Sequence, residues 1–374
     1  MRICIVYDCL FPHTVGGAER WYRKVAETLA EEGHEVTYLT LRQWDRGVDP
    51  GVPGVRVVAV GPRMALYTAS GRRRVLPPLV FGLGVLAHLL RHGRRFDVVH
   101  TCSFPYFSVL AAAVARRLAR YRLVVDWFEV WSRSYWVDYL GGVGGRVGWY
   151  VQRLCALIPQ RAYCFSQLHA ARLRDAGLRS VPVLLEGAYT GSLEGLAPVD
   201  AEDFVLFAGR HIPEKNVPAL VRAMALLPDL RAEILGDGPE RAEVERLARE
   251  VGDRVVLRGF VSPEEVDAAF RRALCMVLPS RREGYGMVVL EAASHGAPSV
   301  VVAAPDNAAV ELISEGENGF VAASDAPEDL AAAIRRVVEA GPALRESTAR
   351  WWAANAERLS VRSSLDAVAE AYAG

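Results

Sequence analysis

The feature that most constrains this chain is an alternation kept up from end to end. Short valine-rich apolar runs are separated by stretches of helical periodicity. In the first half, residues 3–7, 35–40, 55–60, 97–100, 123–126, 162–165 and 181–185 read as strands. Most are continuously apolar and bounded by turn or charged residues, as are parallel strands covered on both faces. The clearest helix is 18–32, where Trp21, Val25 and Leu29 recur every four residues and Gly33 ends the pattern. The order β-α-β-α predicts a doubly wound α/β sheet. Gly, Ser, Pro and acidic residues then break the pattern between 187 and 203. It restarts with strands at 204–208, 231–235, 255–257, 275–278, 299–302 and 320–322, and helices at 217–227, 240–250 and 263–272. Helices at 328–340, 344–358 and 361–373 fill the tail. The expected organisation is a first α/β domain over 1–186, a linker over 187–203, a second α/β domain over 204–357, and a helical end at 358–374 able to pack back on the first domain. The length of 374 residues suits two such domains. Ligands of doubly wound sheets bind outside the carboxyl ends of the strands, so two facing sheets predict a site in a central cleft.

Charge and cysteine usage narrow the classes further. Basic and acidic residues balance at 44 each, which argues against a general nucleic-acid binder. Only Lys24 and Lys215 are lysines. The six cysteines form no CxxC pair and match no zinc spacing, so reduced thiols in a cytoplasmic protein are expected. The longest apolar stretch, 76–90, falls short of the ~20 residues of a membrane span.

The loops after the strands carry the chemistry. The first strand is followed by Val15-Gly16-Gly17-Ala18-Glu19, which is not the G-x-G-x-x-G of a dinucleotide fold, and strand two ends without a carboxylate for a ribose. A Walker-type phosphate loop and a G-x-S-x-G elbow are also missing. Gly16 and Gly17 fit an anion approaching a helix start, and equally a tight turn. After strand 204–208 the chain reads Gly209-Arg210-His211-Ile212-Pro213-Glu214-Lys215-Asn216. Arg210 and Lys215 there form a cationic clamp suited to a diphosphate, or an exposed charged pair. Gly236-Asp237-Gly238-Pro239 follows the next strand with room for a flat ring or a phosphate. In Glu283-Gly284-Tyr285-Gly286-Met287-Val288-Val289-Leu290-Glu291, two carboxylates straddle a turn and a helix start, with Glu283 expected in the loop. Carboxylates accept hydrogen bonds from sugar hydroxyls, and the N–H groups of Gly284–Met287 can meet a phosphate.

Taken in series, these motifs resemble the retaining glycosyltransferases of family four. The resemblance spans nearly the whole chain and is densest from 204 to 321. It implies the GT-B fold, two Rossmann-like domains facing a cleft, and transfer of a sugar from a nucleotide-diphosphate sugar to an acceptor hydroxyl with retention. The acceptor class is a glycolipid, a polysaccharide precursor or a small metabolite, lipid-linked carriers included. Carried over, Glu283 contacts the transferred sugar, Glu291 the ribose, and Arg210 and Lys215 the diphosphate. Gly16 and Gly17 face the donor from the first domain, while Gly236, Gly238, Gly284, Tyr285, Gly286 and Met287 complete the donor pocket. The family usually carries a His where this chain reads Phe128 in Asp126-Trp127-Phe128-Glu129. Asp126, on the same strand face, is the expected substitute at the sugar, with Glu129 as the alternative. No D-x-D motif accompanies these residues, and no cofactor or metal is expected, because fixed cations can stabilise the leaving group. An epimerase or phosphorylase on the same fold, and a non-catalytic sugar-binding protein, are the competing readings.

Two features bear on the acceptor side. Arg72, Arg73 and Arg74 precede stretch 76–90, and Arg91, Arg94 and Arg95 follow it. Such a helix can lie against an anionic membrane as a peripheral contact, or be a buried crossover helix with solvated ends. Trp127, Phe128, Trp131, Tyr135, Trp136 and Tyr139 can bind an acceptor ring or lipid, or pack on the sheet.

Overall fold

The computed structural model describes residues 1–45, 47–66, 68, 73–194 and 199–373. Arg72 and part of the expected linker, 195–198, lie outside the described residues. The first sheet contains β1 (Arg2–Val6), β2 (Glu35–Leu41), β3 (Val55–Gly61), β4 (Val98–Cys102), β5 (Arg122–Trp127), β6 (Arg161–Cys164) and β7 (Val183–Leu184). Its strands run parallel in the order β3-β2-β1-β4-β5-β6-β7. The helices between them are α1 (Gly17–Glu31), α2 (Leu76–His92), α3 (Tyr106–Ala119), α4 (Arg133–Leu157) and α5 (Gln167–Asp175). Right-handed crossovers put α1 on one face and α2, α3 and α4 on the other. The glycine-rich stretch after 140 is helical within α4, kinked at Gly141 (φ 78°). A Cβ at Gly145 would sit 2.4 Å from the Trp136 carbonyl oxygen, so the glycines let the helix fold closely over Trp136.

The second sheet contains β8 (Phe204–Ala208), β9 (Arg231–Leu235), β10 (Val255–Gly259), β11 (Cys275–Leu278), β13 (Ser299–Val302) and β15 (Gly319–Ala322). These are again all parallel, in the order β10-β9-β8-β11-β13-β15. A two-residue ladder joins β12 (Arg282–Glu283) and β14 (Asp306–Asn307), so Glu283 stands on a short strand where a loop was expected. One face of the large sheet is packed by α6 (Val217–Met224), α7 (Arg241–Val251) and α10 (Pro327–Ala340). The other is packed by α8 (Pro263–Arg272), α9 (Met287–Ser294) and α11 (Pro342–Leu359).

The chain divides into two compact units, which change over between Ala188 and Tyr189 and again between Ser360 and Val361. Tyr189, inside the expected linker, is an anchored residue of the second unit: it is buried, meets Trp352 edge-on, and its hydroxyl donates to Ser294 Oγ at 3.0 Å. The final helix α12 (Val361–Ala373) belongs to the first unit.

Candidate active site

In the second unit, strand order decides which loops meet. β9, β8 and β11 are neighbours, and β8/β11 is the point where the order of connection reverses. The loops at 236–239, 209–216 and 279–286 therefore lie side by side at the carboxyl ends of these strands. His211 N–H donates to the Asp237 carbonyl at 2.9 Å, and Glu240 N–H donates to the His211 carbonyl at 3.0 Å. The glycines make this contact possible. A Cβ at Gly236 (φ 107°) would stand 2.0 Å from the Gly209 carbonyl oxygen, and one at Gly238 would stand 2.5 Å from that of His211. In this structure their small size serves loop-on-loop packing.

Lys215 and Glu283 come together here. The Lys215 ammonium donates to Glu283 Oε1, which also accepts from Ser280 Oγ at 2.7 Å. Glu283 is buried and Lys215 partly so, an environment in which a charge interacts more strongly than in bulk water. Arg210 is exposed and forms no ion pair among the described residues. Arg281 Nε meets Asp325 Oδ2 at 2.5 Å, and Arg282 meets Glu214 at 3.7 Å. Burial and then the Glu214 charge raise the pKa of Glu240. Gly286 (φ 98°) precedes the first residue of α9, Met287, with no side-chain cap at that helix start. A Cβ on Gly286 would lie 2.6 Å from that of Ala309. Gly284 and the packed Tyr285 ring lead into this turn, and Glu291 lies a turn into α9, partly exposed. Cations, a carboxylate and a helix N-terminus thus converge where an anionic, hydroxyl-rich ligand can be held.

The first unit differs. Gly16 precedes α1 in extended backbone (φ −173°) and Gly17 begins the helix. The Glu19 carboxylate folds back over Gly16, at 2.3 Å from the position of a Cβ, so a carboxylate of the chain itself faces this helix start. Asp126, expected to stand in for the missing His, lies inside the fold. It is fully buried on β5, with Oδ1 at 2.8 Å from His100 Nε2 and Oδ2 accepting from Trp21 Nε1 at 2.8 Å. His100 Nδ1 lies 2.5 Å from the Tyr372 hydroxyl of α12. Asp126 therefore points into the layer of α1 and α12 and ties three segments together. Phe128 lies beyond the end of β5 and stacks on Phe165 at 4.6 Å, with Tyr22 edge-on. Glu129 accepts from Trp131 Nε1 at 2.5 Å. Trp127 and Trp136 are buried, while Trp131 packs against Phe104, Tyr135 and Tyr139. The apolar stretch is α2, whose Phe81, Val85 and Leu89 are buried while Leu76 and Leu83 are exposed.

Several residues of the second site escaped sequence reasoning. Ser280 orients Glu283, and Asn307 Nδ2 donates to the Ser280 carbonyl at 3.1 Å. Asn216, in left-handed backbone (φ 49°), donates to Asp325 from 109 positions away. Its place just before a helix pattern was the one available signal. His211 is fully buried with neither ring nitrogen hydrogen-bonded, and burial lowers its pKa.

Comparison with known proteins covers both units. Residues 16–185 match the family model described as glycosyl transferase 4-like domain, and residues 194–358 match glycosyl transferases group 1. The chain is 32% identical over 231 residues to alpha-D-kanosaminyltransferase of Streptomyces kanamyceticus, covering 60% of this chain and 56% of the relative. It is 34% identical over 182 residues to D-inositol 3-phosphate glycosyltransferase of Streptomyces griseus, covering 45% and 38%. The match thus spans about half or less of these relatives' length. Against glycogen synthase of Mycobacterium tuberculosis, identity is 28% over 100% of this chain and 94% of the relative. Sucrose-phosphate synthase from Thermosynechococcus elongatus superposes with a TM-score of 0.80 at 20% identity, over 99% of this chain and 98% of the other. Anabaena HepE in complex with UDP-glucose gives 0.72 at 20% identity, over 100% and 99%.

Proposed function

The chain belongs to the GT-B glycosyltransferases of the family-4 type, and from that membership we propose that it moves a sugar from a nucleotide-diphosphate sugar to an acceptor hydroxyl with retention. The observation that carries this reading is the meeting of Lys215, Glu283 and Ser280 beside the start of α9. Lys215, with Arg210 from the same loop, holds the diphosphate. Glu283 accepts hydroxyls of the sugar, and Glu291 those of the ribose. The N–H groups at Gly286–Met287 supply further positive potential for the leaving phosphate. Substitution proceeds on the donor's front face through an oxocarbenium-like transition state. The bond from the anomeric carbon to phosphate oxygen breaks, the acceptor oxygen bonds to that carbon, and the departing phosphate takes the acceptor's proton. No side-chain base is needed, which agrees with a sealed Asp126. Fixed cations replace a divalent metal in this scheme, so turnover survives EDTA.

The reading extends to a peripheral contact with an anionic membrane, where a lipid-linked acceptor would be met. HepE was solved with UDP and with UDP-glucose, so uridine nucleotides are the first donors to test. The test is a thermal-shift screen of UDP, GDP and ADP sugars, followed by nucleotide release with candidate acceptors. Glu283→Gln is expected to damage transfer more than binding of the free nucleotide, and Glu291→Gln to weaken the free nucleotide as well. Identical effects in both variants, or turnover abolished by EDTA and restored by magnesium, overturn the assignment.

A further inference from the structure

We propose that the outer face of α4 docks the first unit on an anionic lipid bilayer. Leu140, Val143, Val147, Tyr150, Leu154 and Leu157 are all exposed, Val143 by 71% and Tyr150 by 63%. From Val143 onward, past the kink at Gly141, they recur at alternating spacings of four and three, which sets these five in one stripe along the helix, with Leu140 just before the kink. Gly145, Gln152, Cys155 and Ala156 form the buried stripe on the opposite side. A soluble helix presents polar residues on its outward face; this one is apolar on both faces.

Charge identifies the occupant. Arg146 and Arg153, seven residues apart, flank the stripe on one side, and Arg133 and Arg153 both lie over the Trp149 ring. Between residues 91 and 161 the chain has eleven arginines and four acidic residues, although the whole chain is balanced. Just past the end of α4, a surface pocket of about 560 Å³ is lined by Arg116, Arg120, Arg122 and Arg161 and by no carboxylate. An apolar stripe with an aromatic edge and an arginine rim matches the acyl boundary and phosphate layer of an anionic leaflet. A second copy of the chain fits poorly, because pairing the stripes brings two arginine rims together with only Asp138 on α4 to offset them. The proposal gives the membrane contact of the transferase reading a definite surface, and moves it from α2 to α4.

The full chain is sedimented with vesicles of phosphatidylcholine mixed with phosphatidylglycerol, and with phosphatidylcholine alone. Pelleting is expected with the mixed vesicles, falling as salt rises. Val147→Glu with Leu154→Glu, and separately Arg146→Gln with Arg153→Gln, should each weaken vesicle binding by about tenfold or more, the scale of two basic contacts. These positions are exposed or on the rim, so melting temperature and UDP affinity should match the parent. The proposal is overturned if the parent does not pellet, if neutral vesicles bind equally well, if the double-glutamate variant still pellets, or if light scattering shows a parent dimer that the glutamates split. Vesicle binding without nucleotide binding would sink the transferase reading alone; nucleotide binding without vesicle binding would sink this one alone.

Discussion

Two parallel sheets of similar build treat the charged residues near their strands' carboxyl ends in opposite ways. Around β8 and β11, Lys215 pairs with Glu283, Arg281 with Asp325 and Arg282 with Glu214, and most of these side chains keep part of their surface in solvent. Around β4 and β5, Asp126 and His100 are wholly buried and spend their hydrogen bonds on Trp21 and Tyr372. The first set retains charge that a ligand can compete for. The second is consumed in holding α1 and α12 to the sheet. A carboxylate near a strand's end is thus not a functional residue by position alone; which layer it faces decides.

The largest expected effect tests the sealed network. Asp126→Ala leaves the Trp21 and His100 donors buried without their acceptor and should lower unfolding free energy by ~3–5 kcal/mol, read from urea denaturation. If stability holds while turnover falls, Asp126 works at the sugar after all and the contrast between the sheets collapses. Next is Lys215→Ala, expected to weaken UDP binding by ~1.5–3 kcal/mol in calorimetry. Unchanged affinity, together with unchanged affinity in Arg210→Ala, would remove the proposed clamp. The smallest effect concerns two histidines, one in each unit. Burial lowers the pKa of His211, and burial with the neighbouring His92, Arg56 and Arg91 lowers that of His88 to about 4. The unfolded chain takes up these protons near the ordinary histidine value of 6.5, before the folded chain does. Stability from these groups is therefore present above that value and lost as pH falls from there toward about 4 for His88. His88→Gln should flatten that part of the stability–pH curve; a curve as steep as the parent's would place the loss elsewhere.

Much of the second site was legible because its signals are local. Glycines at loop turns, an Arg and a Lys between strand and helix, and two acids astride a helix start are written in consecutive residues. Their partners were harder to see. Ser280, Asn307 and Asp325 carry no mark of their own, and reach the site only because β11, β13 and β15 are adjacent. The glycines at 236 and 238 were legible as places of close approach, but the approaching group in this structure is the loop at 209–211.

Asp126 shows where local reading stops. Strand periodicity put Asp126 and Phe128 on one face, but β5 ends at Trp127, and Phe128 turns instead onto Phe165. Nothing near residue 126 reports that a helix 246 positions later supplies Tyr372 to its network. The alternation of apolar runs and helical periods was enough to specify two doubly wound sheets, because the hydrophobic effect acts through patterns that neighbouring residues define. The use made of each polar group was fixed only by folding. Burial and hydrogen bonding depend on which distant segments arrive at the same point, and a single chain of letters does not contain that distance.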